Sequence, residues 1–196
     1  MLKNQVHPAA IRSKKLITST LLDLMENHPY DKITIKEITD HAVLTRRTFY
    51  AHFKTKEEVL QYKINDLNNQ LTQVISNHTD KSHHDIALLY FGFWIDHVDL
   101  LKLLSRQHLM QLIFDNFNKN IEDIRSYFGC TMRQRDQQYT DYSTAFFTGV
   151  LSSILSLWIE TGTKESAEEL VHLLEQITVK FSSSFENRER ARVATH

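Results

Sequence analysis

The stretch that decides the fold spans residues 33–60 and reads ITIKEITDHAVLTRRTFYAHFKTKEEVL. It divides into three helical segments separated by two very short connections. Thr34 and Glu37 have the spacing of a capping box, which marks the start of the first segment. Thr45 and Thr55 are the candidate N-caps of the second and third segments. The stretch therefore predicts two short helices joined by a tight turn, with a third helix close behind.

The second short helix presents an outward face that is rich in hydrogen-bond donors. Its apolar side chains Leu44, Phe49 and Phe53 can pack inward. The outward set has two guanidiniums, two hydroxyls, a phenol and an imidazole, without any acid: Thr45, Arg46, Arg47, Thr48, Tyr50 and His52. Such a face suits a DNA major groove, which is lined by phosphates and base acceptors. From the residues alone, a merely solvated face remains the alternative.

Helical patterns continue on both sides of this stretch. Upstream, an apolar repeat predicts a helix over residues 9–27. Downstream, helices are predicted over residues 56–77, 86–97, 98–106, 109–128, 138–161 and 166–185, with a frayed polar tail over 187–196. Only 4 glycines and 2 prolines occur, so the chain has few places to bend sharply. The expected fold is all-α, with an N-terminal three-helix helix-turn-helix DNA-binding domain over residues 1–55 and a C-terminal helical domain over residues 56–196.

The composition favours a soluble chain in a reducing compartment. Cys130 is the single cysteine, so no disulfide can form within one chain, and the expected location is the cytoplasm. No signal-peptide core occurs, and no run of about 18 apolar residues is available to span a membrane. Residues 1–60 carry 10 Lys and Arg against 7 Asp and Glu, whereas residues 61–196 carry 13 against 17. This modest asymmetry places the positive charge with the helix-turn-helix stretch.

Catalysis is not indicated by any motif. The chain lacks a glycine-rich phosphate loop, a zinc-protease motif and a nucleophile elbow, so we predict no catalytic residue, metal or cofactor. His78, His83 and His84 cluster near a polar loop without a supporting acid or cysteine, which predicts solvated loop histidines rather than metal ligands. Cys130 adjoins a helix end, but no resolving cysteine accompanies it as a redox sensor would need.

The block of residues 33–60 resembles the TetR family of regulators. The family pattern runs Thr-Val-x-x-Ile-Ala, Ala-Gly-Val-Ser, x-x-Thr-Phe-Tyr-x-His-Phe and x-Ser-Lys-Glu-x-Leu. The corresponding stretches here read ITIKEIT, AVLT, RRTFYAHF and TKEEVL. With the upstream helix, the resemblance covers roughly residues 9–60. One departure is Val43, which stands where the family has a turn glycine. A β-branched residue disfavours positive φ, so we expect a slightly different turn backbone.

The resemblance implies a role for each outward residue of the block. Lys36 lies where the supporting helix meets DNA, and Arg46 and Arg47 are the candidates for guanine O6 and N7. The remaining implied contacts come from the opening of the reading helix, its phosphate-binding side chains and the start of the next helix: Thr45, Thr48, Tyr50, His52 and Lys56.

The last two predicted helices are the candidates for dimerisation. The first of them is apolar nearly all round, so it needs burial on more than one side. The resemblance implies that both helices form a four-helix bundle with a second copy, through Phe147, Leu151, Ile154, Leu155, Trp158, Leu170, Leu174 and Ile177. A purely intramolecular core is the alternative.

The resemblance also implies that residues 56–196 are an effector-binding and dimerisation domain, with a pocket for a hydrophobic small-molecule effector. The zone from residue 90 to 128 is rich in bulky apolar groups, and its candidate lining is Tyr90, Phe93, Trp94, Phe114, Phe117 and Phe128. An aromatic stripe of this kind is also typical of plain core.

Three functions remain in view. The first is a homodimeric repressor that binds palindromic double-stranded operator DNA and is released or modulated by an effector. The second is an activator or coregulator of the same fold that works through a partner protein, without an inducer; a C-terminal pattern similar to a subgroup of Gram-positive regulators keeps it open. The third is an all-helical enzyme or ligand carrier.

Overall fold

A computed structural model describes residues 8–78, 82–119 and 137–193. Every regular element in these ranges is helical, which confirms the all-α class. The α-helices are α1 (Pro8–Asn27), α2 (Ile35–His41), α3 (Arg46–Tyr50), α4 (Lys56–Asn77), α5 (His83–Ile95), α6 (Val98–Arg106), α7 (Gln111–Lys119), α8 (Gln137–Glu160) and α9 (Ala167–Val193), with a 3₁₀ turn at Tyr30–Lys32. No helix within the described ranges is long and apolar enough to cross a membrane.

Helices α5 and α9 each extend several residues beyond one predicted limit. Helix α5 starts at His83 instead of residue 86, because the Ser82 hydroxyl accepts a hydrogen bond from the Asp85 backbone N–H (3.1 Å) and caps the helix there. Helix α9 continues to Val193, so the prediction of a frayed tail from residue 187 was wrong. The terminal segment is rich in Glu and Arg, which are good helix formers. The helix predicted over 109–128 is described only as α7, and Cys130 lies outside the described residues.

Contacts divide the described chain into two compact units. One unit comprises residues 8–72 and 99–119, and the other comprises residues 73–98 and 137–193. The first unit contains the helix-turn-helix, and its core is formed by apolar side chains of α1, α2, α3 and α4: Ile17, Leu21, Met25, Ile38, Phe49, Leu60 and Ile64. The division into a DNA-binding domain (residues 1–55) and an effector-binding and dimerisation domain (residues 56–196) describes function and not compactness. It therefore stays a prediction.

The second unit is built from α5, α8 and α9. Helix α5 packs against α9. Its fully buried Tyr90 and Trp94 meet edge to face, with ring centroids 6.4 Å apart. In α8, the buried Trp158 indole donates a hydrogen bond to the Glu165 carbonyl (3.0 Å). The turn from α8 to α9 is thereby attached to the core of this unit.

Candidate nucleic-acid interface

Helix α2, the supporting helix of the motif, starts at the capping box predicted from the sequence. The Thr34 hydroxyl accepts from the Glu37 N–H (3.2 Å), and the Glu37 carboxylate accepts from the Thr34 N–H (2.8 Å). Hydrogen bonds from the Thr34 hydroxyl and backbone N–H hold the pKa of Glu37 below its usual value. The backbone N–H groups of Thr34 and Glu37 therefore both have hydrogen-bond acceptors at the start of α2, as the spacing predicts.

The turn between α2 and α3 keeps a left-handed residue although no glycine is present. Val43 has a φ of 53° and is 90% exposed. The N–H of Leu44 donates to the Thr39 carbonyl (2.9 Å) and that of Val43 donates to the Asp40 carbonyl (3.2 Å). These are the two hydrogen bonds of a Schellman motif with valine at its C′ position. The expectation of a different turn backbone was wrong, because the paired carbonyls hold Val43 in the strained conformation.

Helix α3 has five residues and lies between the N-cap Thr45 and the C-cap Ala51. Its N-cap is Thr45, whose hydroxyl accepts from the Thr48 N–H (3.0 Å) and lies 2.8 Å from the Thr48 hydroxyl. On the inner side, Phe49 and Phe53 are buried as predicted, and their ring centroids lie 6.1 Å apart. The ring of Tyr62 in α4 packs on Phe53 at 5.6 Å. These contacts fix which face of α3 points outward.

The outward face of this motif carries cations. Arg46 and Arg47 are exposed, and no hydrogen bond or ion pair within the described part of the chain occupies either guanidinium. Tyr50 is also exposed, and His52 is half-buried. On α2, Lys36 is exposed. Free guanidiniums of this kind bind guanine edges or phosphates in two-point geometry.

Lys56 differs from the other residues assigned to DNA, because its ammonium lies against the chain itself. It donates to the carbonyls of Tyr30 (2.6 Å), Asp31 (3.2 Å) and Ile33 (2.9 Å). It also lies 4.5 Å from the centre of the Tyr30 ring. An ammonium has three donors, so this arrangement leaves none for a phosphate. The structure thus gives Lys56 an internal role in place of the implied phosphate contact.

Tyr30 and Gln107 also belong to this assembly, although no sequence pattern points to either residue. The Gln107 side chain comes from the end of α6 and contacts the loop that follows α1. The bonded residues lie 77 to 82 positions apart along the chain, so no local pattern signals the contact.

The residues predicted to line an effector pocket are divided between the two units. Tyr90, Phe93 and Trp94 are buried and pack on one another in the second unit. Phe114 is half-buried in α7, which belongs to the first unit. The side chain of Phe117 and all of Phe128 lie outside the described residues.

An apolar cavity of about 460 Å³ lies elsewhere in the second unit. Side chains of α5, α8 and α9 line it, among them Ala87, Val150, Val171 and Leu174. No sequence pattern predicts this cavity, because its walls come from three helices that are separated along the chain.

The residues predicted to form a dimer interface fall into two groups. Leu151, Leu155, Trp158 and Leu170 are buried within their own unit, so they belong to the core of the protomer and are not available to a partner. Phe147, Ile154 and Leu174 are half-buried, and Ile177 is exposed. An apolar helix alone does not indicate which of its sides faces the core.

A different stripe of α8 is exposed. Tyr142, Phe146, Gly149, Ser153 and Leu157 repeat every three or four residues and therefore share one face of the helix. Tyr142 is 71% and Leu157 60% exposed, and a Cβ added at Gly149 would meet no atom within 4 Å. This face, named the α8 stripe below, is apolar at its ends and small in its middle.

The paired histidines belong to a helix and not to a solvated loop, which corrects the prediction. His83 and His84 form the first turn of α5. The imidazole of His83 stacks on the Phe147 ring at 5.6 Å, and His84 Nδ1 lies 2.8 Å from the Glu175 carboxylate. The Glu175 carboxylate raises the pKa of His84. In the described ranges, no group of three or more His, Cys, Asp or Glu is placed to hold a metal.

Two capped short helices, a tight turn and a cationic outer face define a helix-turn-helix protein. The chain belongs to the tetR family of bacterial regulatory proteins. The model of that family matches residues 17–62, and the model of a transcriptional regulator C-terminal region matches residues 99–180.

Similar proteins include both curated relatives and solved structures. Over 113 residues (58% of this chain), the sequence is 26% identical to the HTH-type dhaKLM operon transcriptional activator DhaS of Lactococcus lactis. That match covers 54% of the relative, so this chain spans about half of its length. The structure of Lin0861 from Listeria innocua has a TM-score of 0.74 at 16% identity, covering 92% of this chain and 96% of that chain. A tetR-family transcriptional regulator from Streptomyces coelicolor has a TM-score of 0.57 at 17% identity, covering 90% and 85%. Both solved structures share the fold.

Proposed function

We propose that this protein is a sequence-specific DNA-binding transcriptional regulator that reads duplex DNA with α3. The observation that carries the proposal is the pair of exposed, unpaired guanidiniums of Arg46 and Arg47 on a helix whose start and inner face are fixed. Free guanidiniums match guanine O6 and N7 in the major groove.

Phosphate contacts in this proposal come from residues around α3. Lys36, Tyr50 and His52 supply cations and donors on exposed or half-exposed positions. Thr45 and Thr48 contribute mainly by capping α3, since their hydroxyls bond to each other. Lys56 is left out of the phosphate contacts, because its donors bind backbone carbonyls.

We further propose that the protein binds its operator as a homodimer that pairs through the α8 stripe. Two reading heads double the contacts and match a palindromic site. Exposed apolar groups at Tyr142, Phe146 and Leu157 supply area to bury, and the small residues Gly149 and Ser153 permit close approach of a second helix. Leu173 and Ile177, two of the exposed apolar side chains of α9, extend the same proposal.

The protein could act on transcription in two ways, by repression or by activation, and each has its own support. Repression that a hydrophobic small molecule relieves follows the family resemblance, and the apolar cavity of the second unit supports the effector part. Activation without an inducer is the second candidate, because the relative DhaS is named a transcriptional activator. Transcription in vitro from a promoter that carries the selected site, with and without the protein, separates repression from activation.

The DNA-reading proposal is tested by selecting random duplex DNA with the full-length protein and titrating the selected site by fluorescence anisotropy. Arg47→Ala is expected to weaken binding by about 1–3 kcal/mol and to relax the sequence preference. Lys102→Ala removes an equal charge from an exposed position of α6 and is the matched control, with affinity expected within about twofold of the wild type. Wild-type affinity of the Arg47 variant would refute the assignment of α3.

The dimer proposal is tested by light scattering on Gly149→Trp. The position is open in the protomer, so the indole is expected to leave the fold intact and to prevent the second helix from approaching. Asn69→Trp adds the same side chain to an exposed position of α4 and serves as the control. A monomeric wild type, or a Gly149→Trp protein that stays dimeric, would contradict the assigned face.

A further inference from the structure

The loop between α1 and α2 is held by one side chain from the end of α6. Gln107 Nε2 donates to the carbonyls of Met25 (2.7 Å) and His28 (3.1 Å), and Gln107 Oε1 accepts from the Tyr30 N–H (2.8 Å). A single amide therefore satisfies three backbone groups where α1 ends, at a point where helices leave carbonyls without partners. The Gln107 amide thus ties this loop to the end of α6.

The backbone that carries Gln107 is itself fixed. Helix α6 ends in a Schellman motif, in which the His108 N–H donates to the Ser105 carbonyl (3.0 Å) and the Leu109 N–H to the Leu104 carbonyl (2.8 Å). His108 has a φ of 57°, the left-handed conformation that this motif requires. The Gln107 amide thus projects from a defined turn.

The opposite side of the same loop is held by the start of α4. The Lys56 ammonium binds the carbonyls of Tyr30 and Ile33, and Ile33 immediately precedes the N-cap of α2. The Tyr30 hydroxyl donates to the Glu57 carboxylate (3.1 Å). Burial raises the pKa of Tyr30, and the neighbouring Glu57 carboxylate raises it further, so the phenol stays a donor.

We propose that Gln107 is a positioning residue for the DNA-reading head, acting through Tyr30. It lies outside the helix-turn-helix sequence and is not assigned a contact with DNA. Its amide fixes Tyr30, and Tyr30 connects it to Lys56 at the start of α4 and to the residues that precede α2. A displacement of the turn after α6 therefore moves the support of the reading helix. The inference rests on the proposed DNA-reading function.

Affinity for the selected duplex tests the inference in three variants, at a temperature where circular dichroism shows each one folded. Gln107→Ala is expected to bind the selected site about tenfold more weakly, since small misplacements of contacting groups are costly, and to bind an unrelated duplex as the wild type does. Gln107→Glu keeps the acceptor for the Tyr30 N–H but sets a carboxylate oxygen against the Met25 and His28 carbonyls, so a loss at least as large as that of Gln107→Ala is expected. Gln111→Ala is the matched control, because the hydrogen bond that its amide makes within the described residues stays inside α7, to Asp115 (2.8 Å).

Hydrogen exchange without DNA provides a reading that does not depend on operator binding. In Gln107→Ala, amides of residues 30–45 are expected to exchange faster, from the loop through α2 to the turn, whereas Gln111→Ala leaves them unchanged. A purely structural role would lower the melting temperature yet preserve the ratio of selected to unrelated duplex affinity, and that result would overturn the inference. Faster exchange confined to the Tyr30 amide would overturn it as well. A wild-type protein that selects no sequence would refute the proposed function, while the exchange pattern would still decide the positioning role.

Discussion

Replacing Val43 by glycine is expected to stabilise the protein, although it deletes an apolar side chain. Val43 occupies the C′ position of a Schellman motif with a φ of 53°. The left-handed conformation costs an L-residue about 1–2 kcal/mol. The side chain is 90% exposed, so its removal sacrifices little burial.

The expected size of the gain follows from two opposing contributions. Glycine removes the left-handed penalty, but its freedom in the unfolded chain returns roughly 0.4–1 kcal/mol. The net gain is therefore about 1 kcal/mol, which corresponds to a rise of roughly 2–4 °C in melting temperature for a chain of this size. Because the backbone already has the conformation that glycine prefers, the affinity of α3 for DNA should not change.

Thermal unfolding by circular dichroism at one protein concentration measures this effect. Val74→Gly is the matched control: Val74 is 41% exposed in the interior of α4, where glycine costs helix stability and burial is lost, so the same substitution should destabilise there. Val43→Ala keeps the left-handed penalty of an L-residue and should gain less than glycine. A Val43→Gly protein that melts at or below the wild-type temperature would refute the strain argument.

Three further outcomes follow from contacts described above. Thr34→Ala removes half of the capping box and should lower the free energy of unfolding in urea by about 1 kcal/mol. An unchanged urea midpoint would show that the cap does not stabilise the fold. Because Glu175 raises the pKa of His84, this pair stabilises the fold below the unfolded imidazole pKa and loses its effect as pH rises through the folded value. The stability difference between wild type and Glu175→Gln should thus be larger at pH 5.5 than at pH 8.5, and a constant difference would show that the pair contributes nothing. Gly92→Ala should stabilise α5 by about 1 kcal/mol in thermal unfolding, since the added methyl meets open space; a loss would mean that the position is crowded.

Local signals gave the limits of several helices. Helices α4 and α6 have the predicted limits of residues 56–77 and 98–106, and the cap at Thr34 is where its spacing places it. Each of these features depends on residues within four positions of one another. The left-handed conformation of Val43 was not predicted, because valine intrinsically disfavours a positive φ. The preference does not forbid that conformation, and two backbone hydrogen bonds of the turn outweigh it.

Contacts between distant parts of the chain could not be predicted. The carbonyls that bind the Lys56 ammonium lie 23 to 26 positions away, and the Tyr30 N–H lies 77 positions from its Gln107 acceptor. Similarly, the apolar residues of α8 gave no indication that Leu151 and Leu155 face the protomer core while Leu157 faces solvent. Composition identifies such a helix as buried, but only tertiary packing decides on which side.

The internal bonds of Lys56 have a consequence for chemical labelling. Acetylation would remove its charge and leave one N–H where the ammonium supplies three to the carbonyls of Tyr30, Asp31 and Ile33. Lys36, by contrast, is exposed and makes no such bonds within the described residues. A lysine-reactive reagent should therefore label Lys36 well before Lys56, and labelling of Lys56 should report that the loop after α1 has opened.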